Sequence, residues 1–287
     1  MQCRTSRIVH KRAYAGFPAQ YACKDESILT LKQWSAAMVD AGVIRRIYEL
    51  SHPLNADTIA APVSRPFELE LTHPHAPFDD RTPVSAETIL SGTDCMTVGT
   101  HTGTHVDAPY HVSRGRSAPM PRSMPVPVVA RGVLLDFPRH FGVESVDREL
   151  TPTDIDSCVA SQGTPLRRGD AVLFRTGRDA AYATPDQFMR APFGGPGVDS
   201  AQYLVGLGVS VVGSDTMPFE AVPSEEPLEV HALLLADQQI QIMEMLNLVE
   251  IAADGIHEFL FMMAPLRIAQ GTGSPVNPLA VVMAPAD

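Results

Sequence analysis

Three histidines and one aspartate fall within His101-Thr-Gly-Thr-His105-Val-Asp107-Ala-Pro109-Tyr-His111, all at odd positions. Imidazole and carboxylate are the ligand types that suit zinc, manganese or iron. A helix does not explain the spacing. His101 and His105 would share a face at i, i+4, but Asp107 would turn away and Pro109 would break the turn. A straight strand puts all four side chains on one face, yet it separates His101 from Asp107 by about 20 Å, too far for one ion. The backbone therefore bends, and Gly103 is the residue best able to bend it. The segment reads as a strand end near His101 that runs into a ligand-bearing loop stiffened by Pro109.

One loop rarely supplies every ligand of an ion, so further donors are expected downstream. Glu244 lies between Ile240, Ile242 and Leu246, where an unpaired carboxylate is costly, so a paired or metal-bound acid is expected there. His231 heads the apolar run Val230–Leu235, as either a core histidine or a ligand. Asp215, in Gly213-Ser-Asp-Thr216, reads as support for a turn or a neighbouring histidine. His52, followed at once by Pro53, reads as structural.

The His101–His111 segment resembles the His-x-Gly-Thr-His-x-Asp-x-Pro-x-His signature of the cyclase-like metal-dependent hydrolases, a family that includes bacterial kynurenine formamidase and isatin hydrolase. Every fixed position is filled; Val112 stands where the family usually has Phe. His231 with Glu244 resembles the family's distal His-plus-Glu pair, at a spacing one residue longer. Ser51-His-Pro-Leu54 is similar to its opening, and Ala264–Pro275 to its closing strand and Gly-Ser-Pro turn, with Asn277 where many relatives carry Arg. The resemblance covers residues 44–284. It implies a swivelling β/β/α fold and a first ion held by His101, His105 and Asp107. Asp107 would bridge to a second ion, if two are present, held by His231 and Glu244. It further implies hydrolysis of an amide-type C–N bond in an aryl formamide or cyclic amide, and a homodimer or larger assembly. The ion is zinc or manganese, one or two per chain. His111 is the expected general acid/base, because an imidazole with a pKa of roughly 6.5 suits proton shuttling; a fourth ligand is its other reading.

Two rival functions fit parts of the pattern. A non-haem iron oxygenase would use two histidines and one carboxylate, His105, Asp107 and His231. It leaves His101 and His111 without a role, and residues 232–266 contain no Lys or Arg to bind a 2-oxoacid. A catalytically silent metal-binding protein would keep the ligands and lack the reaction.

The elements that position these residues read as one α/β domain with a mixed or barrel-like β-sheet flanked by helices. Strands are expected at Ile47–Leu50, Phe67–His73 (half-buried, by its alternation), Val128–Phe137, Ala171–Arg175, Val209–Val212 and Phe259–Pro265. Thr151-Pro-Thr-Asp154 starts a helix, with a Thr cap and Pro in the first turn; a second starts near Asp199. His73–Asp80, Ser113–Met124 and residues 178–197 read as loops, the second as a lid and the third as a surface loop. Residues 1–43 read as an N-terminal extension before the hydrolase domain at 44–287; residues 1–37 carry six basic side chains against two acidic.

The net charge of −11 over 287 residues argues against nucleic acid and anionic membrane as partners. No apolar run reaches the roughly 18–20 residues that span a bilayer. Cys3, Cys23, Cys95 and Cys158 form no Cys-x-x-Cys pair and read as reduced thiols in a cytoplasmic protein. The expected partner is a small-molecule amide or lactam.

Overall fold

The computed structural model describes residues 43–77, 81, 83–115 and 125–284. The expected N-terminal extension up to residue 42, and most of the expected lid, lie outside the described residues. A nine-stranded mixed sheet dominates the rest. Its strands are β1 (Ile44–Glu49), β4 (His105–Asp107), β5 (Val128–Asp136), β7 (Ala171–Arg175), β9 (Val211–Ser214), β10 (Gln241–Glu244), β11 (Glu258–Met263), β12 (Gly273–Pro275) and β13 (Leu279–Met283). They lie in the order β1-β13-β11-β5-β7-β9-β10-β4-β12. The β5-β7-β9-β10 centre is parallel, with antiparallel strands on either side. The expected α/β class with a mixed sheet is the one observed.

A parallel centre must be covered on both faces, and the strand alternation supplies two apolar layers. Val133, Leu135, Val172, Phe174, Val212 and Ile242 join one buried cluster with Ile155 and Cys158 of the Pro152–Gln162 helix and Leu204 of the Val198–Leu207 helix. Leu134, Leu173, Val211 and Met243 join the other, against Tyr48, Val106 and Phe261. The Pro152–Gln162 helix begins with a capping box, in which Thr151 Oγ1 accepts from the Asp154 N–H while Asp154 accepts from the Thr151 N–H. No helix among the described residues is long and apolar enough to cross a membrane.

Four expectations change. β2 (Glu68–Ala76) pairs only with β3 (Ser91–Thr97), as a separate two-stranded ribbon. Leu69, Leu71 and Met96 are exposed, so β2 is not half-buried: its alternation marks an apolar face without a partner among the described residues. His73 and His75 belong to this ribbon rather than to a loop. Residues 178–197 are not simply surface loop. They include the short helix Pro185–Phe188, whose Phe188 is fully buried, and β8 (Gly195–Pro196), which pairs with β6 (Glu149–Leu150). Gly273-Ser-Pro275 is an edge strand on β4 rather than a turn.

Candidate metal centre

The bend expected at Gly103 is present, with φ of +63°. A Cβ there would meet Thr58 Cγ2 at 2.9 Å, and the Gly103 N–H donates to Ile59 O at 2.7 Å. The direction differs from expectation: His101 sits in the loop, and a strand begins at His105 instead of ending near His101. Within β4, His105 and Asp107 lie two residues apart and so face the same side. β10 lies antiparallel alongside with Glu244 opposite His105. On the other edge β12 places Gly273 opposite Asp107. A Cβ on Gly273 would come within 3.0 Å of His101 Cε1, so a larger residue would displace that ring. His231 ends the short helix Glu229–His231, which continues as the π-helical Ala232–Asp237.

These elements bring His101, His105, Asp107, His231 and Glu244 together. Asp107 Oδ1 lies 2.7 Å from His101 Nδ1 and 3.4 Å from His105 Nε2, and Asp107 Oδ2 lies 3.5 Å from His231 Nε2. Glu244 approaches His105 Nε2 at 3.5 Å and His231 Nε2 at 3.2 Å. His105, Asp107, His231 and Glu244 are all buried. His111 stands at the mouth, exposed, with its ring centroid 4.2 Å from that of His101 and 6.2 Å from that of His231. It ends the 3-10 turn Pro109–His111, in which the His111 N–H donates to Ala108 O at 2.8 Å.

The outward nitrogens decide what the inward ones can do. His105 Nδ1 donates to Gly103 O at 2.8 Å, His231 Nδ1 bonds Glu220, and His101 Nε2 bonds Thr272 Oγ1 at 3.0 Å. Such bonds fix ring orientation, and at His105, whose Nδ1 must carry the donated proton, they leave the neutral ring's Nε2 as a lone pair. Sequence reasoning passed over Glu220 and Thr272. The one available signal was a carboxylate set between Phe219 and Ala221; nothing local marks Thr272.

The donor set fits a divalent cation. Both oxygens of Asp107 are buried and lack a well-formed hydrogen bond, although three imidazoles surround them. The four approaches among His105, Asp107, His231 and Glu244 are 3.2–3.5 Å, each carboxylate turning one oxygen to His105 and the other to His231. His105, Asp107 and Glu244 form one compact triad, and His101, Asp107 and His111 another. Burial alone would raise the pKa of Asp107 and lower that of His231. Instead the imidazoles hold Asp107 well below the carboxylate range, and Asp107 with Glu220 holds His231 well above its ordinary value. The pocket thus favours positive charge at its centre. The oxygenase set His105, Asp107 and His231 is contained in it, but Glu244 and His101 crowd the positions such a site leaves open.

Asp215, read as turn support, accepts from the Thr176 and Gly177 N–H groups, each at 2.8 Å, at the end of β7. His52 stacks on Tyr182 with ring centroids 3.5 Å apart. Asn277 bonds Ser51 and Glu49.

With the geometry in place, comparison with known proteins gives the class. Residues 48–221 match the family model described as "Putative cyclase", and the chain belongs to this cyclase family. It is 31% identical over 202 residues to the isatin hydrolase of Roseibium aggregatum, covering 65% of this chain and 73% of that one. It is 26% identical over 234 residues to the kynurenine formamidase of Bordetella pertussis, covering 82% and 97%. Among solved structures, an isatin hydrolase bound to the product analogue thioisatinate superposes with a TM-score of 0.70 at 23% identity, covering 93% and 100%; this likeness is one of fold.

Proposed function

We propose that this chain is a divalent-metal hydrolase that cleaves an amide-type C–N bond in a small molecule, an aryl formamide or a cyclic amide. The observation that carries the reading is the meeting of five ligand-type side chains: His101, His105 and His231 lie against the buried Asp107, Glu244 lies against His105 and His231, and all but Asp107 line one cavity. The names of the relatives support the same chemistry. His101, His105 and Asp107 would hold one zinc or manganese ion, and His231 and Glu244 would complete that site or contribute to a second. A divalent cation supplies Lewis-acid chemistry there, acidifying water and polarising a carbonyl.

The chain's own residues do the rest. His111, at the mouth and next to His101, takes the proton of the attacking water and returns it to the leaving nitrogen. Partial burial lowers its pKa, only partly offset by Asp107, so it is neutral at pH 7 and can accept a proton. Glu220 and Thr272 hold the ligand imidazoles in register. Apolar walls exclude bulk water. The exposed apolar ribbon β2–β3 supports a homodimer or larger assembly, and the free thiols a cytoplasmic setting.

Elemental analysis of protein purified without a chelating column, together with an assay on formanilide and isatin, tests this. The expected result is zinc or manganese at about one or two per chain with hydrolysis of at least one compound. Iron as the sole activating metal would overturn the reading, and so would a chain that takes up no metal. His105→Ala should lose metal and activity together. His111→Ala should keep the metal and lose roughly 100- to 10,000-fold in turnover; loss of metal as well would move His111 from proton shuttle to ligand.

A further inference from the structure

The cavity in front of the ligand cluster carries its ionisable groups at the floor and mouth and none on its walls. Outside the cluster and His111, its lining is Ala, Pro, Val, Met, Phe and Leu, with no Lys, Arg, hydroxyl or amide side chain among the described residues. Met189, Phe193, Met217 and Val222 form the wall, and Val63 (98% exposed) and Leu228 (55% exposed) form the lip. Two arginines on neighbouring segments are already committed. Arg178 lies over the Phe193 ring, but its Nη atoms donate to Asp147 and to the Gln187, Arg190 and Pro192 carbonyls. Arg114, three residues beyond His111, is clamped between Glu229 and Asp237. Neither has a cationic face to offer an incoming anion.

The cavity is also small. At about 330 Å³ it lies near the lower end of the roughly 300–1,000 Å³ range of small-molecule sites, which suits one single or fused ring. An apolar ring gains from burial against such walls. An ionised group carried on that ring loses its hydration and finds no partner among the described wall residues.

We infer that the site selects amides whose non-reacting part is uncharged and apolar, and rejects those bearing a carboxylate or an ammonium there, with Val63 and Leu228 setting this selection at the lip. The inference rests on the hydrolase reading above and narrows its substrate class. In a formanilide the whole ring can lie against Met217 and Phe193. A carboxylate para to the formamide would be held against the same side chains, and an aminomethyl group would meet the same walls with the opposite sign. Rejection of both signs separates desolvation from simple repulsion by the acidic protein.

The test compares kcat/KM on the metal-loaded full chain for formanilide, 4-formamidobenzoate and 4-(aminomethyl)formanilide. The neutral compound should lead both ions by on the order of 100-fold. Val63→Arg, a change at a residue that is almost fully exposed, should narrow the gap for the carboxylate by about tenfold, chiefly through KM, and leave the ammonium disfavoured. Equal hydrolysis of all three would overturn the inference while leaving the hydrolase intact. Hydrolysis of none, with metal bound, would count against the hydrolase reading. Calorimetric titration with benzamide, 4-carbamoylbenzoate and 4-(aminomethyl)benzamide reads the selection without turnover. Equal dissociation constants there would overturn it whatever the assay shows.

Discussion

Among the described residues, two clusters of three buried acids each differ in their surroundings in a way that separates chemistry from architecture. Asp136, Asp179 and Asp215 face donors that cannot leave. Asp215 takes the Thr176 hydroxyl and the N–H groups of Thr176, Gly177 and Asp179, and Arg175 lies between Asp136 at 3.0 Å and Asp179 at 3.2 Å. Backbone amides and a guanidinium stay protonated at every ordinary pH. Asp107, Glu220 and Glu244 face imidazoles, whose protons are exchangeable and whose lone pairs can turn to a cation, although Glu244 Oε1 also accepts from the Phe219 N–H at 2.8 Å. One group ties strand ends together; the other holds a place for positive charge.

The sharpest break in that contrast is Asp107→Asn. It is nearly isosteric and removes one of the charges that a cation would meet. If the cluster is a metal site, metal is lost, and with it several kcal/mol of transition-state stabilisation, at least about 1,000-fold in kcat/KM. Full metal content measured by elemental analysis in this variant would make Asp107 a structural acid like Asp215. Glu220→Gln is the milder probe. It keeps a hydrogen-bond acceptor for His231 Nδ1 and removes the charge, so metal affinity should fall by roughly 10- to 100-fold. A metal titration that shows no change would mean that Glu220 orients nothing.

Much of the centre was legible because its chemistry is written locally. His101, His105, Asp107 and His111 share one segment, and the bend at Gly103 followed from distance alone. Glu244 was legible as an acid in an apolar run, and the α/β class with a mixed sheet as short apolar strands alternating with helix starts, whereas the parallel order of the central strands was not read. Glu220 and Thr272 were not, because a supporting contact depends on which strand lies beside which. Thr272 meets His101 only because β12 pairs with β4, a contact made across 171 positions of sequence. The β2 alternation was read correctly as a strand and wrongly as half-buried. Periodicity shows that a strand has an apolar face; it does not supply the surface that covers it. Phe188, fully buried in what read as surface loop, is the converse case.

The smallest expected effect tests the architectural group through pH. Burial, and then the neighbouring charge of Asp215, pushes the Asp179 carboxyl up to about 7. The folded pKa therefore lies above the unfolded value of roughly 3.9, so the native state binds more protons than the unfolded one between those limits. The stability contributed by this group is present in full below about pH 4 and is lost as pH rises through about 7. Asp179→Asn fixes the neutral form: its amide oxygen can still accept from the Leu248 N–H, which now bonds Asp179 Oδ2. Thermal melts from pH 5 to 8, on metal-saturated protein so that the ligand imidazoles do not titrate, should show the wild type losing more Tm than the variant. Parallel slopes would mean that Arg175 keeps Asp179 ionised throughout. The two groups would then differ only in their partners and not in the charge they carry.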